Sequence, residues 1–126
     1  MSAWLIVFLG GGLGAASRHG VNLAGARLIG GGFPWSTLIV NAVGSLLMGL
    51  IAGWLAFRSG VPWSQHTRLF LTTGFLGGFT TFSAFSLETA LLWERGAAGE
   101  AAAYVLANVV LSVAGVFVGF WVMRSV

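Results

Sequence analysis

The chain contains no cysteine, no lysine and no aspartate, and only 7% of its 126 residues are charged. A soluble domain carries charge on roughly a quarter of its residues, so this chain cannot cover a water-facing surface. The absence of cysteine excludes disulfides and thiolate metal sites. The absence of lysine excludes a P-loop. The glycine-rich run at 10–15 is a weak dinucleotide signal, because no acidic residue precedes Glu88.

The few charges and histidines are scattered. Six arginines outnumber three glutamates and give a net charge of +3. Nucleic-acid binding requires a clustered basic patch, and these arginines stand singly, so we expect no nucleic-acid partner. His19 and His66 are isolated from each other, which argues against a histidine metal site within one chain.

Long apolar runs dominate what is present, since 57% of the residues are hydrophobic. Four runs, at about 3–26, 35–57, 69–93 and 101–123, approach or exceed the roughly 20 residues that cross a bilayer. They predict an all-α membrane protein with one transmembrane domain, 1–126, in contact with lipid. The first run lacks a basic flank and a cleavage pattern, so we expect it to be retained. Tryptophans near the run ends fit an interfacial belt: Trp4, Trp35, Trp54, Trp63, Trp93 and Trp121.

Small residues four apart occur in all four runs and predict close approach of helix backbones. The pairs are Gly10/Gly14, Gly49/Gly53, Gly74/Gly78 and Gly115/Gly119.

The arginines hardly distinguish the two membrane faces. With four spans, Arg58, Arg68 and Arg124 fall on one side, and Arg27 and Arg95 on the other. The positive-inside rule therefore fixes no orientation. This balance is compatible with one weakly determined topology or with insertion in both orientations. Four helices alone rarely enclose a pathway, so a dimer is expected in either case.

Two helices carry tracks of neutral polar residues at i, i+4 and i+8, which lie on one helix face. The tracks are Thr37, Asn41 and Ser45 in the second run, and Tyr104, Asn108 and Ser112 in the fourth. All six side chains donate hydrogen bonds without ionising at neutral pH. Such rows favour a route for a small anion over a cation route lined by carboxylates; the alternative is interhelical adhesion.

Two ionisable residues lie inside the runs. Arg18 is about two-thirds along the first run, where a charge faces protein or a water-filled vestibule, or snorkels to the interface. Glu88 is compatible with three roles: a proton relay, a partner for Arg18, or an acceptor that organises Thr or Ser hydroxyls.

The third run contains a break, predicted over 77–80. Gly77 and Gly78 loosen the helix, and the β-branched pair Thr80 and Thr81 discourages its resumption. Freed carbonyls need donors or a cation, so the carbonyls of Gly77 and Thr80 are candidates for Na⁺. Two breaks meeting at an antiparallel dimer axis would offer four oxygens.

Two phenylalanines follow the break. Phe82 and Phe85 are three residues apart and share a helical face. The edge of an aromatic ring is positive, so edges turned toward a pathway would attract an anion weakly. Ordinary packing is the alternative.

Three motifs together resemble the CrcB/Fluc fluoride channels, which are small bacterial four-helix membrane proteins. They are Gly-Gly-Leu-Gly-Ala-Ala-Ser-Arg at 11–18, Ser-Thr-Leu-Ile-Val-Asn-Ala-Val-Gly-Ser at 36–45, and Gly-Gly-Phe-Thr-Thr-Phe-Ser-Ala-Phe at 77–85. The resemblance extends over nearly the whole chain. Ala84 departs from it, because the family often has Thr there, and one hydroxyl is thereby missing beside the Phe pair.

The resemblance implies an antiparallel homodimer in the bacterial inner membrane, with two fluoride pathways and one central Na⁺. Such a protein is a channel and not an enzyme, and it exports fluoride passively. By this resemblance the backbone carbonyls of Gly77 and Thr80 would hold the Na⁺, and Arg18 would lie near a vestibule.

The resemblance also implies the residues of the fluoride route. Asn41 and Ser83 would donate hydrogen bonds to fluoride, and Phe82 and Phe85 would line its path. Tyr104, Asn108 and Ser112 fit a polar track of the fourth helix.

Two other functional classes remain as alternatives. A small multidrug-resistance transporter is also a four-helix protein, but it needs a carboxylate in its first helix, which this chain lacks. A non-conducting scaffold subunit would need neither the hydroxyl tracks nor the Gly-Gly break.

Overall fold

A computed structural model describes residues 2–58 and 65–126, and the regular structure in these two stretches is helical. We number the helices α1 to α5. The label α3 joins three successive helical pieces that end at the interruption. The helices are α1 (Ala3–Leu28), α2 (Trp35–Gly53, continued by the π-helix Trp54–Arg58), α3 (Gln65–Leu69, the π-helix Phe70–Leu76 and Gly77–Phe79), α4 (Phe82–Glu94) and α5 (Ala98–Ser125).

Three segments in the described part of the chain are long and apolar enough to cross a membrane. They are Trp35–Arg58, Gln65–Glu94 and Ala98–Ser125, with mean hydropathies of 2.0, 1.2 and 2.2. They correspond to the second, third and fourth predicted runs. The first predicted run forms α1, whose 26 residues span about 39 Å at 1.5 Å per residue. That α1 also crosses the membrane stays a prediction. The second connection and Trp63 lie outside the described residues.

The interruption of the third segment lies at Thr80 and Thr81. Both adopt extended backbone, with φ −87° and ψ 158° at Thr80 and φ −154° and ψ 116° at Thr81. Gly77 and Gly78, which we expected to open the break, are helical. Packing accounts for this difference, because a Cβ at Gly78 would overlap the carbonyl of Gly11 in α1. The glycines serve close contact, while the β-branched threonines hold the extended conformation.

Backbone contact joins α1 to α3. A Cβ added to Gly14 would overlap the carbonyl of Phe75, and one added to Gly10 would lie 2.7 Å from the carbonyl of Phe70. A similar contact joins α2 to α5, where a Cβ at Gly119 would lie 2.5 Å from the carbonyl carbon of Gly49. Small residues therefore bring the backbones together along both helix pairs.

The connections at one end of the molecule are tied to each other. Arg95 Nη2 donates to the carbonyl of Gly32 at 2.7 Å and to Glu100 Oε2 at 3.2 Å. Gly32 has φ 104°, a conformation that side chains disfavour. The link holds the α1–α2 connection against the α4–α5 connection.

Candidate functional site

A cavity of about 390 Å³ lies beside the interruption, between α2, α4 and α5. Members of both polar tracks, both threonines and both predicted phenylalanines line it. The lining consists of Asn41, Ser45, Thr80, Thr81, Phe82, Phe85, Asn108, Val109, Ser112 and Val113. The folded chain thus collects at one place residues that the sequence spreads over three runs.

Asn41 forms hydrogen bonds with both the N–H and the carbonyl of the extended residue Thr81. The Thr81 N–H donates to Asn41 Oδ1 at 2.8 Å, and Asn41 Nδ2 donates to the Thr81 carbonyl at 3.1 Å. Asn41 Nδ2 also donates to Asn108 Oδ1 at 2.9 Å. An amide nitrogen has two hydrogens, and both are therefore engaged. Asn41 Oδ1 thus replaces the Gly77 carbonyl, the helical acceptor that the Thr81 N–H lacks.

Only one of the two amide hydrogens of Asn108 forms a hydrogen bond within the described residues. Its side chain is 4% exposed, and its Nδ2 donates to the Tyr104 carbonyl at 3.2 Å. The amide orientation is fixed, because the Thr81 N–H sets the Oδ1 of Asn41 and Asn41 in turn donates to the Oδ1 of Asn108. The second amide hydrogen of Asn108 has no acceptor among the described residues.

Two hydroxyls in the cavity lining are also open. Ser45 and Ser112 form no hydrogen bond within the described residues, although each carries a donor. Together with the second amide hydrogen of Asn108, the cavity presents three open donors and no ionised group. Its lining therefore suits a small anion.

Glu88 receives two hydrogen bonds from the ends of the polar tracks. Thr37 Oγ1 donates to Glu88 Oε1 at 2.9 Å, and the hydroxyl of the fully buried Tyr104 donates to Glu88 Oε2 at 2.5 Å. Of its three possible roles, the structure shows the acceptor that organises a Thr hydroxyl. No pairing with Arg18 occurs in the described chain, where Arg95 and Glu100 form the ion pair.

A second cavity, of about 310 Å³, lies between the carboxyl half of α1, the α1–α2 connection and Glu88. Thr37 and Glu88 line this cavity, whereas Asn41, Thr81 and Asn108 line the first. The polar network through Tyr104 thus has one end at each cavity.

The two phenylalanines form one aromatic wall. Their ring centroids are 5.3 Å apart at 66°, an edge-to-face arrangement. Phe85 is 8% exposed and its centroid is 5.4 Å from that of Tyr104, while Phe82 is 76% exposed. Phe85 therefore belongs to both the core and the cavity, and Phe82 has an open face. Ser83 lies outside the cavity lining, and its Oγ is 3.3 Å from Thr81 Oγ1.

The interruption leaves two carbonyls open. Thr81 is the residue whose N–H would close a helical bond to Gly77, and it donates to Asn41 Oδ1 instead. Ala84 would close the bond to Thr80, and its N–H is accepted by Thr81 Oγ1 at 3.1 Å. Neither carbonyl has a partner within the described chain. The carbonyl of Gly78, the residue after Gly77, is not open, because Arg18 Nε donates to it at 3.1 Å.

The sequence of the chain matches a known protein family. The family model described as "CrcB-like protein, Camphor Resistance (CrcB)" matches residues 5–120. The chain belongs to the CrcB family. With three or more apolar spans, this CrcB protein is a multi-pass protein of the bacterial inner membrane.

Several relatives are similar to this CrcB protein over nearly their whole length, and each is named "Fluoride-specific ion channel FluC". The relative from Methylobacterium nodulans is 62% identical over 121 residues, covering 96% of this chain and 95% of the relative. That from Rhodopseudomonas palustris (strain BisB5) is 58% identical over 123 residues, covering 98% of each. That from Hyphomonas neptunium is 50% identical over 126 residues, covering 100% of this chain and 98% of the relative.

The sequence of this CrcB protein did not reveal which donors are already engaged. The hydroxyls of Thr37 and Tyr104 both donate to Glu88. The amide of Asn41 donates to Thr81 and Asn108. The available signal was the presence of one asparagine at the centre of each track, which is compatible with a direct contact between them. Periodicity places each asparagine on a face of its own helix and does not show that the two faces meet.

Proposed function

We propose that this protein is a fluoride-selective channel that lets cytoplasmic fluoride leave the cell passively, down its electrochemical gradient, and so confers resistance to fluoride. The observation that carries the proposal is the cavity beside the interruption, where three open neutral donors and an aromatic wall come together. The FluC relatives, 50–62% identical over nearly the full chain, support fluoride as the ion.

Fluoride is small and strongly hydrated, so a conducting route must replace its water. Hydroxyls and amide hydrogens do so without a fixed positive charge that would trap the ion. Ser45, Ser112 and Asn108 supply such donors at the cavity. The amino end of α4, which begins at Phe82 in the cavity lining, adds a favourable field for an anion.

The phenylalanines complete this route. The edge of a ring carries partial positive charge and its face partial negative charge. Phe82 and Phe85 present rings to the cavity, and their edges attract an anion without hydrating it. Weak sites of this kind let an ion leave as readily as it enters.

The functional unit in this proposal is an antiparallel homodimer with four membrane-crossing helices in each copy. The near balance of arginines across the membrane supports insertion in both orientations. The open face of Phe82, 76% exposed, supports a second copy beside the cavity, since one chain leaves the route open on that side. Lipid surrounds the remaining apolar surface.

The carbonyls of Gly77 and Thr80 fit a structural Na⁺. Hard monovalent cations prefer oxygen ligands, and the two carbonyls are open because Asn41 and Thr81 Oγ1 take the N–H groups that would bond them. The ion would supply positive charge at the dimer axis, where two copies offer four oxygens. No carboxylate lines the cavity beside them.

A small multidrug-resistance transporter is not favoured. Such a protein needs a carboxylate in its first helix, and the three glutamates of this chain, Glu88, Glu94 and Glu100, all lie beyond residue 87. The FluC relatives also favour the channel.

The test is ion flux from liposomes that contain the purified protein, measured with a fluoride electrode. Valinomycin is added so that potassium leaves with the fluoride and compensates its charge. We expect fast fluoride efflux that needs no proton or cation gradient, and no chloride efflux from matched liposomes. Absence of fluoride efflux from verified, membrane-inserted protein would refute the channel. Efflux that requires an opposing proton gradient would indicate a transporter.

A further inference from the structure

The end of α3 lies in the interior of the third segment, and its last carbonyls need partners. A helix leaves its last four carbonyls without helical donors. One of them is satisfied locally: the carbonyl of Leu76 accepts from the Thr80 N–H at 3.0 Å and from Thr80 Oγ1 at 2.9 Å. The carbonyl of Gly78 is satisfied from another helix, by Arg18 Nε at 3.1 Å.

The sequence of α1 explains why Arg18 reaches this carbonyl. The backbones of α1 and α3 touch at Gly14, where a Cβ would overlap the carbonyl of Phe75, and at Gly78, where it would overlap the carbonyl of Gly11. Arg18 is one turn beyond Gly14 on the same face of α1. At that point α3 has ended, so the partly buried side chain of Arg18 passes over the helix end.

We propose that Arg18 is a positioning residue that caps the carboxyl end of α3 and thereby fixes the geometry of the interruption. A cation at a helix carboxyl end interacts favourably with the helix dipole, and a hydrogen bond from a charged donor is stronger than a neutral one. If α1 crosses the membrane as predicted, the hydrogen bond also offsets part of the cost of placing a charge there. Its role is thus local and differs from attracting anions into a vestibule.

The cap also selects which carbonyls stay open. Arg18 donates to the carbonyl of Gly78, whereas the carbonyls of Gly77 and Thr80 remain without partners in the described chain. In this respect the inference rests on the proposed function, because only a channel with a structural Na⁺ makes use of the two open carbonyls. The cap itself depends on no transported ion.

Substitutions at Arg18 separate the cap from the charge. In glutamine, Nε2 is as many bonds from Cα as Nε is in arginine, so Arg18→Gln keeps a donor at the right place and removes the charge. Arg18→Lys keeps the charge but has a methylene at that place. Arg18→Met has neither donor nor charge.

The primary measurement is hydrogen–deuterium exchange at the amides of Thr80 and Thr81 in the full-length protein in nanodiscs. Loss of the cap should raise their exchange about tenfold or more in Arg18→Met and Arg18→Lys, in line with the loss of one hydrogen bond to a charged donor. Arg18→Gln replaces the charged hydrogen bond by a neutral one, so its exchange should rise by only about threefold. Exchange in the middle of α5 should be the same in all variants that fold.

Sodium dependence of fluoride flux is the second measurement. The half-maximal Na⁺ concentration should rise in Arg18→Met and be restored in Arg18→Gln. A role in the vestibule alone predicts the opposite order of the two variants. Arg18→Lys would then match the natural protein in exchange and flux, and Arg18→Gln would be impaired. That result would overturn the cap. If the natural protein conducts no fluoride, the channel proposal fails, while the exchange pattern still decides the cap.

Discussion

At the scale of single residues, the two asparagines have different roles although each is the centre of a polar track. Asn41 spends both amide hydrogens and its oxygen within the protein, on Thr81 and Asn108. Asn108 keeps one hydrogen for the cavity. Removal of Asn41 therefore disturbs the backbone of the interruption, whereas removal of an open donor affects only what occupies the cavity.

The hydroxyl of Ser112 tests the open donors, because it has no hydrogen bond in the described chain. Ser112→Ala should slow fluoride efflux from liposomes about ten- to hundredfold, since a hydrogen bond to a charged group contributes about 1.5–3 kcal/mol. Folding should be unaffected, as no hydrogen bond within the described chain is lost. Ser17→Ala, an exposed change on α1 away from both cavities, is the matched control and should leave efflux unchanged. Equal rates for both variants would remove Ser112 from the route.

Asn41→Asp should nearly abolish fluoride efflux. The carboxylate still accepts from the Thr81 N–H, but it no longer donates to Asn108, and it places a negative charge in the cavity lining. Repulsion between unit charges about 4 Å apart is about 4 kcal/mol near a protein surface, so we expect more than a hundredfold loss with the dimer intact. Gln65→Glu makes the same chemical change at the exposed start of α3 and should conduct normally. Undiminished efflux from Asn41→Asp would take Asn41 out of the pathway.

At the scale of the elements, the sequence predicts the apolar runs and the two tracks, but it begins the break at Gly77, whereas the extended residues are Thr80 and Thr81. Runs and tracks follow from hydropathy and from the 3.6-residue period, which are local properties. Glycine costs about 1 kcal/mol in a helix, which predicts that the helix ends at Gly77 and Gly78. Contact of Gly78 with α1 overrides that penalty. Local propensity could not show this contact.

The hydrogen bonds of the site could not be predicted from the sequence either, because they also depend on contacts between distant helices. Asn41 contacts Thr81 and Asn108 across separations of 40 and 67 residues. Arg18 and Gly78 are 60 residues apart. No local pattern encodes such pairs, because they depend on how the helices rotate against each other.

The close approach of α1 and α3 can be tested with one methyl group. Gly14→Ala places a Cβ into the Phe75 carbonyl, and it should force the helices apart and lower the melting temperature or the yield of monodisperse protein. Overpacking of this kind costs typically about 1–3 kcal/mol. Gly12→Ala meets nothing within 4 Å and should be neutral or slightly stabilising, because alanine favours a helix by about 1 kcal/mol over glycine. If Gly14→Ala were as stable as Gly12→Ala, the backbone contact would be wrong.

At the scale of the whole molecule, the outer surface is suited to lipid. Large apolar side chains are exposed along every long helix, among them Phe8 on α1, Leu91 on α4 and Phe117 on α5. Trp4, Trp93 and Trp121 are between 65% and 88% exposed, as expected of anchors at the membrane interface. Orientation therefore depends on the arginines, since the apolar surface itself has no preferred direction.

The balance of arginines predicts insertion in both orientations. Reporter fusions at the carboxyl terminus should give signals on both sides of the membrane, and two or three arginines added near Arg124 should move the terminus to the cytoplasm. The same number of glutamines added there is the control and should leave the mixture unchanged. A single fixed topology for the natural chain would refute the dual orientation.

The two open carbonyls at the interruption predict a structural role for Na⁺ in the assembled protein. The open carbonyls of Gly77 and Thr80 arise from the fold itself, because Asn41 and Thr81 Oγ1 divert the N–H groups that would bond them. A cation bound by both copies would stabilise the dimer by mass action, and with no carboxylate in the adjacent cavity lining it has no evident onward path. We therefore expect Na⁺ to raise the thermal stability of the dimer and to be required for fluoride flux, while carrying none of the current. In bilayer recordings the reversal potential should follow the fluoride gradient and ignore a tenfold Na⁺ gradient at fixed fluoride. A shift with the Na⁺ gradient would mean that the two ions move together, and the protein would then be a coupled transporter.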